Sequence, residues 1–190
     1  NFGTEIGIAD INNDGYDDII IGAPYADKSD FLDIDDGAVF IIYGKAILKI
    51  NSYNSEAESY ESDDYGVSIN YVAEYSGNED SMFGEAIAVG DFNGDGIGDF
   101  ATSMGEYGIL AGSGIVFIYL GSRFGTLQMK VVINGIQENA QLGGGQGALQ
   151  NLGDINGDGY DDLGMKDADG KFFIAWGKQI WPEDYDYNGD

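Results

Sequence analysis

The chain contains no cysteine and no histidine. Thiol and imidazole nucleophiles, histidine general bases, and the usual ligands of zinc, copper and haem are therefore absent. Disulfide stapling is absent too, so cysteine usage says nothing about redox compartment. Basic residues are scarce: 8 Lys and Arg stand against 34 Asp and Glu, a formal charge of −26. Arg123 is the single arginine. A nucleic-acid binder needs a basic footprint to displace counterions, and an anionic membrane attracts basic segments; neither partner suits this chain. No apolar run reaches membrane-spanning length, and no signal peptide opens the sequence, which is expected to be a processed or incomplete chain. No Asn-x-Ser/Thr acceptor occurs, so N-glycosylation is not expected.

Hydrophobic residues are plentiful, at 43%, with 13 Tyr and 10 Phe among 190 residues. That is enough for one domain with a true core, spanning 1–190. Dense acid then has two readings: a solvated surface, or carboxylates gathered around hard cations. Spacing decides between them.

A search for self-similarity finds three copies of one unit. Each carries an acidic loop: Asp10-Ile11-Asn12-Asn13-Asp14-Gly15-Tyr16-Asp17-Asp18, Asp91-Phe92-Asn93-Gly94-Asp95-Gly96-Ile97-Gly98-Asp99, and Asp154-Ile155-Asn156-Gly157-Asp158-Gly159-Tyr160-Asp161-Asp162. Loop starts lie 81 and then 63 residues apart, so the first unit holds an insertion. Alternating stretches such as Ile6/Ile8 and Ala86-Ile87-Ala88-Val89 precede the loops, and a short apolar run such as Ile19-Ile20-Ile21 follows. Further on come Gly-bounded, β-branched and aromatic runs at 37–44, 114–121 and 170–177. A fourth strand is expected at Val67–Ala73 and at Leu127–Ile133. The unit is thus a four-stranded antiparallel sheet whose first two strands are joined by the acidic loop. Repeated sheets of this kind are the pattern of propeller blades; a β-sandwich would not demand the same loop in each unit. The insertion, about 45–64, lacks an apolar period and reads as an exposed excursion, its tyrosines among acids offering a recognition surface as the other reading.

Calcium takes 6–8 oxygen ligands, which a tight loop supplies when alternate side chains turn inward. Positions 1, 3, 5 and 9 offer Asp10, Asn12, Asp14 and Asp18 in the first loop, with the carbonyl of Tyr16 at position 7. The second offers Asp91, Asn93, Asp95, Asp99 and the Ile97 carbonyl; the third, Asp154, Asn156, Asp158, Asp162 and the Tyr160 carbonyl. A glycine at position 6 permits the sharp turn. Three Ca²⁺ sites are expected, which would bring the formal charge from −26 to −20. Asp, Asn and Gly also make ordinary tight turns, but three copies with one internal spacing go beyond that. An EF-hand is rejected, because position 12 is Ile21, Thr102 or Met165 rather than Glu, and the flanks are strands.

Phe2-Gly3, the Asp10–Asp18 loop, Gly22-Ala23-Pro24 and Gly37–Gly44, in that order, resemble the FG-GAP repeat of integrin α-subunit β-propellers. The second copy keeps Phe83-Gly84 and its loop but replaces Gly-Ala-Pro with Ala101-Thr102-Ser103. In the third, Leu142-Gly143 or a nearby glycine stands in for Phe-Gly. The resemblance implies an all-β fold of about three propeller blades, calcium in the loops of one face, and ligand recognition on the other. Blades are placed at about 1–80, 81–140 and 141–181, the last lacking a clear fourth strand, with an acidic tail at 182–190. The family's ring has more blades than this, so completion by a longer chain or other subunits is expected. The tail residues Asp186-Tyr187-Asn188-Gly189-Asp190 resemble the start of another loop.

The leading functional expectation is an extracellular, non-enzymatic module, secreted or at the cell surface, that binds a protein or glycan ligand and uses calcium structurally. A calcium-dependent hydrolase or polysaccharide lyase is the alternative of another class, and an architectural subunit of an extracellular assembly is a third. Gly143-Gly144-Gly145-Gln146-Gly147 hints at a phosphate loop, yet no Gly-Lys-Ser/Thr follows, and it reads as the flexible lead-in to the third blade.

Overall fold

In the computed structural model, the described residues are 2–26, 37–44, 69–72, 81–125, 127–181 and 185–186. The expected insertion at about 45–64 lies outside them. The described chain is all β. Blade 1 is a sheet of β1 (Ile6–Ala9), β2 (Asp18–Ala23), β3 (Ala38–Ile42) and β4 (Ile69–Val72), in that order and antiparallel throughout. Blade 2 repeats the arrangement with β5 (Ile87–Gly90), β6 (Asp99–Met104), β7 (Ile115–Leu120) and β8 (Gln128–Asn134). Blade 3 contains β9 (Leu149–Asn151), β10 (Leu163–Lys166) and β11 (Phe172–Ala175). Each acidic loop joins the first two strands of its blade, as the sequence predicts. The tail departs from expectation: β12 (Tyr185–Asp186) pairs in parallel with β8, opposite Ile133 and Asn134, and residues 187–190 lie outside the described chain.

The first strands β1, β5 and β9 lie side by side, and the sheets stack face to face behind them. Blade 2 is covered on both faces, which explains why Ile115-Val116-Phe117-Ile118-Tyr119-Leu120 reads as an unbroken apolar run rather than an alternation. Val116 and Ile118 pack with Leu149, Leu163 and Met165 of blade 3, while Phe117 and Tyr119 pack with Ile20, Val39 and Ile41 of blade 1. Among the described residues the outward face of blade 1 has no such cover, and Ile6 and Ile8 are each 59% exposed. On the outward face of blade 3, Phe172 and Trp176 are likewise exposed.

The Phe-Gly pairs close one end of each blade-to-blade contact. Phe83 is buried and bridges to Gly37 of blade 1, where a Cβ would stand 2.2 Å from the Phe83 nitrogen. Leu142 relates to Gly114 in the same way, 2.2 Å from a would-be Cβ to its nitrogen, so Leu142-Gly143 is the Phe-Gly of blade 3. Strand register also corrects the alignment of the second copy. Ile6 faces Ile21 and Ile87 faces Thr102, so the counterpart of Gly22 is Ser103, and Ala101-Thr102-Ser103 is displaced from Gly-Ala-Pro. Gly22 lies against the carbonyl of Gly84, 2.2 Å from where its Cβ would be, whereas the Ser103 hydroxyl donates to the Gly143 carbonyl at 2.7 Å. The glycine-rich run is a tie rather than a loose lead-in. Gly147 donates its N–H to Glu5 Oε1 at 2.7 Å, and the Gln146 amide donates to the Thr4 carbonyl at 2.7 Å, linking blade 3 to blade 1.

Candidate metal centre

The three acidic loops share one internal hydrogen-bond pattern. In the first, the Asp14 N–H donates to Asp10 Oδ1 (3.1 Å) and to Asn12 Oδ1 (2.9 Å), and the Gly15 N–H donates to Asp10 Oδ2 (2.9 Å). The Tyr16 N–H donates to Asp14 Oδ1 at 2.9 Å. The second loop repeats this with Asp95 to Asp91 and Asn93, Gly96 to Asp91, and Ile97 to Asp95, at 3.1, 2.9, 2.9 and 2.9 Å. The third does so with Asp158 to Asp154 and Asn156, Gly159 to Asp154, and Tyr160 to Asp158, at 3.0, 2.9, 2.8 and 3.1 Å. Loop N–H groups thus draw the side chains of positions 1, 3 and 5 inward over one turn. Gly15, Gly96 and Gly159 take φ of 89°, 78° and 94°, which only glycine adopts freely. Position 4 is also left-handed, at Asn13, Gly94 and Gly157; Asn tolerates that region better than most residues.

Position 9 is placed differently. Asp18, Asp99 and Asp162 are each fully buried. One oxygen accepts the N–H of position 2 in its own loop: Ile11 (3.0 Å), Phe92 (2.9 Å) and Ile155 (3.0 Å). The other accepts the N–H of a glycine just past the third strand: Gly44 (2.7 Å), Gly121 (2.9 Å) and Gly177 (3.0 Å). The structure therefore gathers positions 1, 3 and 5 at the loop surface and sets the ninth carboxylate beneath them. Among the described residues, no three acidic side chains form a metal-ligating cluster. The carbonyls of Tyr16, Ile97 and Tyr160 belong to the same turns.

Electrostatics mark the buried carboxylate as the costly member. Burial pushes Asp99 up to about 7; the N–H groups of Gly121 and Phe92 oppose the shift, and the charges of Asp95 and Asp91 reinforce it. Burial also raises Asp18 against its bonds to Gly44 and Ile11, with Asp14 and Asp10 adding to the shift. Asp154 goes the other way, lowered chiefly by the Gly159 N–H. Lys171 pairs with Asp167 and Asp169, outside the loops. The donors of each loop are all oxygen, two surface carboxylates and an amide carbonyl over one turn, the donor chemistry of a hard divalent cation, while the position-9 carboxylate beneath is engaged by backbone N–H groups.

Known proteins carry the same unit. The FG-GAP repeat family matches residues 2–42 and 83–119, covering the first two loops and both Phe-Gly pairs. The chain carries FG-GAP repeats. It is 31% identical over 158 residues to the phosphatidylinositol-glycan-specific phospholipase D of Bos taurus, covering 82% of this chain and 17% of that protein. It is 36% identical over 127 residues to integrin alpha-6 of Gallus gallus, covering 66% of this chain and 10% of that protein. Integrin alpha-7 of Homo sapiens is 34% identical over 128 residues, 66% of this chain and 9% of that protein. The chain spans less than a fifth of the length of these curated relatives.

Three features escaped the sequence reading: the left-handed fourth position, the double backbone anchoring of position 9, and the glycine after the third strand. The last had a signal. Gly44, Gly121 and Gly177 each follow the third-strand run of their unit. At each, an added Cβ would fall within 2.4 Å of the position-8 carbonyl, at Asp17, Gly98 and Asp161.

Proposed function

We propose that the chain is a calcium-stabilised, non-enzymatic interaction module of an extracellular FG-GAP propeller. The observation that carries this reading is the threefold repetition of one oxygen-lined turn above one buried carboxylate. Asp10, Asn12, Asp14 and Asp18, with the Tyr16 carbonyl, would hold the first ion. Asp91, Asn93, Asp95, Asp99 and the Ile97 carbonyl would hold the second, and Asp154, Asn156, Asp158, Asp162 and the Tyr160 carbonyl the third. A bound cation supplies the positive charge that the loops lack, so that their carboxylates need neither protonate nor splay.

Extracellular calcium modules commonly bind at about 10⁻⁴–10⁻³ M, which suits calcium-rich surroundings. At tenfold excess over the dissociation constant, each site adds about 1.4 kcal/mol. A calcium titration followed by thermal melting tests the reading: the midpoint rises with free calcium and falls on chelation. A midpoint indifferent to both removes the structural role. The partner is a protein or glycan, in keeping with a non-catalytic role and an acidic surface that rejects polyanions. An enzyme reading would require activity on glycans or phosphoesters that appears with calcium and vanishes on chelation.

A further inference from the structure

The first two acidic loops are each also half of a joint to the next blade, and these two joints are built alike. At the first, the Gly98 N–H of blade 2 donates to the Asp10 carbonyl at 2.9 Å, and the Ser122 N–H donates to the Ile11 carbonyl at 3.0 Å. At the second, the Asp161 N–H of blade 3 donates to the Asp91 carbonyl at 3.0 Å, and the Lys178 N–H donates to the Phe92 carbonyl at 3.0 Å. The correspondence holds position by position. In both, the eighth residue of one loop reaches the first residue of the loop before it, and a residue just past the third strand reaches the second.

Side chains follow the same scheme. Position 2 projects into the core between its own blade and the next: Ile11 is 1% exposed and sits with Phe100 and Tyr119, and Phe92 is 0% exposed and sits with Leu163 and Trp181. The Trp181 indole N–H adds a third donor to the Phe92 carbonyl, at 3.3 Å. Ile155, the position-2 residue of the last loop described, has no following blade among the described residues and is 53% exposed. The contact surfaces are complementary in size as well. Ala9 stands opposite Gly98, and a Cβ on Gly98 would lie 2.7 Å from that of Ala9. At the second joint the order is reversed: Gly90 stands opposite Asp161, and a Cβ on Gly90 would lie 2.9 Å from Asp161 Oδ2.

The position-2 residue thus has its N–H held by the buried position-9 carboxylate of its own loop and its C=O held by the next blade. We propose that this residue couples its loop to the following blade, so that filling the loop with a cation tightens the joint to its neighbour. The inference rests on the calcium reading above, and it makes the loops devices of blade stacking rather than local staples on single hairpins. Ordering in one element is expected to protect its hydrogen-bonded partner from local opening.

Hydrogen exchange on the full chain, with and without Ca²⁺, tests this, alongside direct measurement of calcium binding by calorimetry. Calcium is expected to slow exchange about tenfold at Ser122 and Lys178, which belong to no loop. In Asp14→Ala, an exposed position-5 residue whose bonds stay within loop 1, the effect at Ser122 is expected to vanish while that at Lys178 persists. Calcium binding with protection confined to each loop's own residues overturns the coupling and leaves the calcium reading standing. Absence of calcium binding in calorimetry overturns both. Should Asp14→Ala fail to fold, the wild-type comparison decides alone, because Ser122 and Lys178 already lie on blades other than those whose loops they touch.

Discussion

Truncating position 2 in each of the three loops should cost different amounts, although the residues occupy the same place in the same motif. Phe92 is wholly buried between blades 2 and 3, so Phe92→Ala removes an aromatic ring from a packed core and leaves a cavity. Such truncations cost about 3–5 kcal/mol. Ile11→Ala, equally buried between blades 1 and 2, falls in the range of about 2–5 kcal/mol. Ile155→Ala, at a side chain that is 53% exposed, stays within about 0.5 kcal/mol. For a chain of this size, where each kcal/mol moves the melting point by about 2–4 °C, Phe92→Ala should lower it by roughly 6–20 °C. Guanidinium unfolding at saturating calcium, with thermal melting beside it, reads all three. Equal losses at the three positions would show that position 2 acts within its own loop, and the argument that it plugs the joint to the next blade would be lost.

Gly98→Asp should destabilise the chain, because its Cβ would press on Ala9, and Ala9→Gly in the same chain should recover part of the loss by recreating the Gly90–Asp161 pairing; a double-mutant unfolding cycle measures the recovery, and strict additivity argues against it. Asp99 supplies a pH signature in the metal-free chain. Its folded value of about 7 lies above the unfolded value near 3.9, so its stabilising contribution is full below about pH 4 and lost as pH rises through about 7, on the order of 4 kcal/mol at most. In Asp99→Asn that slope should flatten in unfolding curves taken across the same window. With calcium the sign turns, since the ion competes with the proton, and the apparent affinity of the second loop should fall as pH drops below about 7.

The blade pattern was legible because its signals are local. Ile19-Ile20-Ile21 and the Gly-bounded run at 114–121 read as strands, and both are strands. The loop spacing pointed to positions 1, 3 and 5, whose side-chain oxygens accept N–H groups of one turn in all three loops. The counterpart of Gly22 is Ser103, which the loop spacing already fixes one place past Ile21 and Thr102; the structure adds that the serine replaces the close glycine contact with a hydrogen bond to Gly143. The other failures depend on partners distant in sequence. Gly143–Gly147 looked flexible from composition, yet its Gly147 N–H and Gln146 amide meet blade 1, about 140 residues away in the chain. Position 9 seemed equivalent to positions 1 and 5, and its distinct burial follows from contacts with the loop start and the third-strand glycine together.

The two halves of the motif therefore work at opposite ends of the same contact. At one end, Phe-Gly of a blade seats on the glycines of the blade before it, as Phe83 does on Gly37 and Gly84 on Gly22. At the other end, the acidic loop of a blade presents its first two carbonyls to the blade that follows. A blade is thus fixed to its neighbours by its Phe-Gly, by its acidic loop, and by backbone groups at the two ends of its third strand. Loop starts are 81 residues apart in one case and 63 in the other, and the extra length falls between β3 and β4, beyond Gly44. An insertion between Phe2 and Gly22 of comparable length would separate Phe-Gly from the loop and break the joint, whereas one beyond Gly44 leaves it whole.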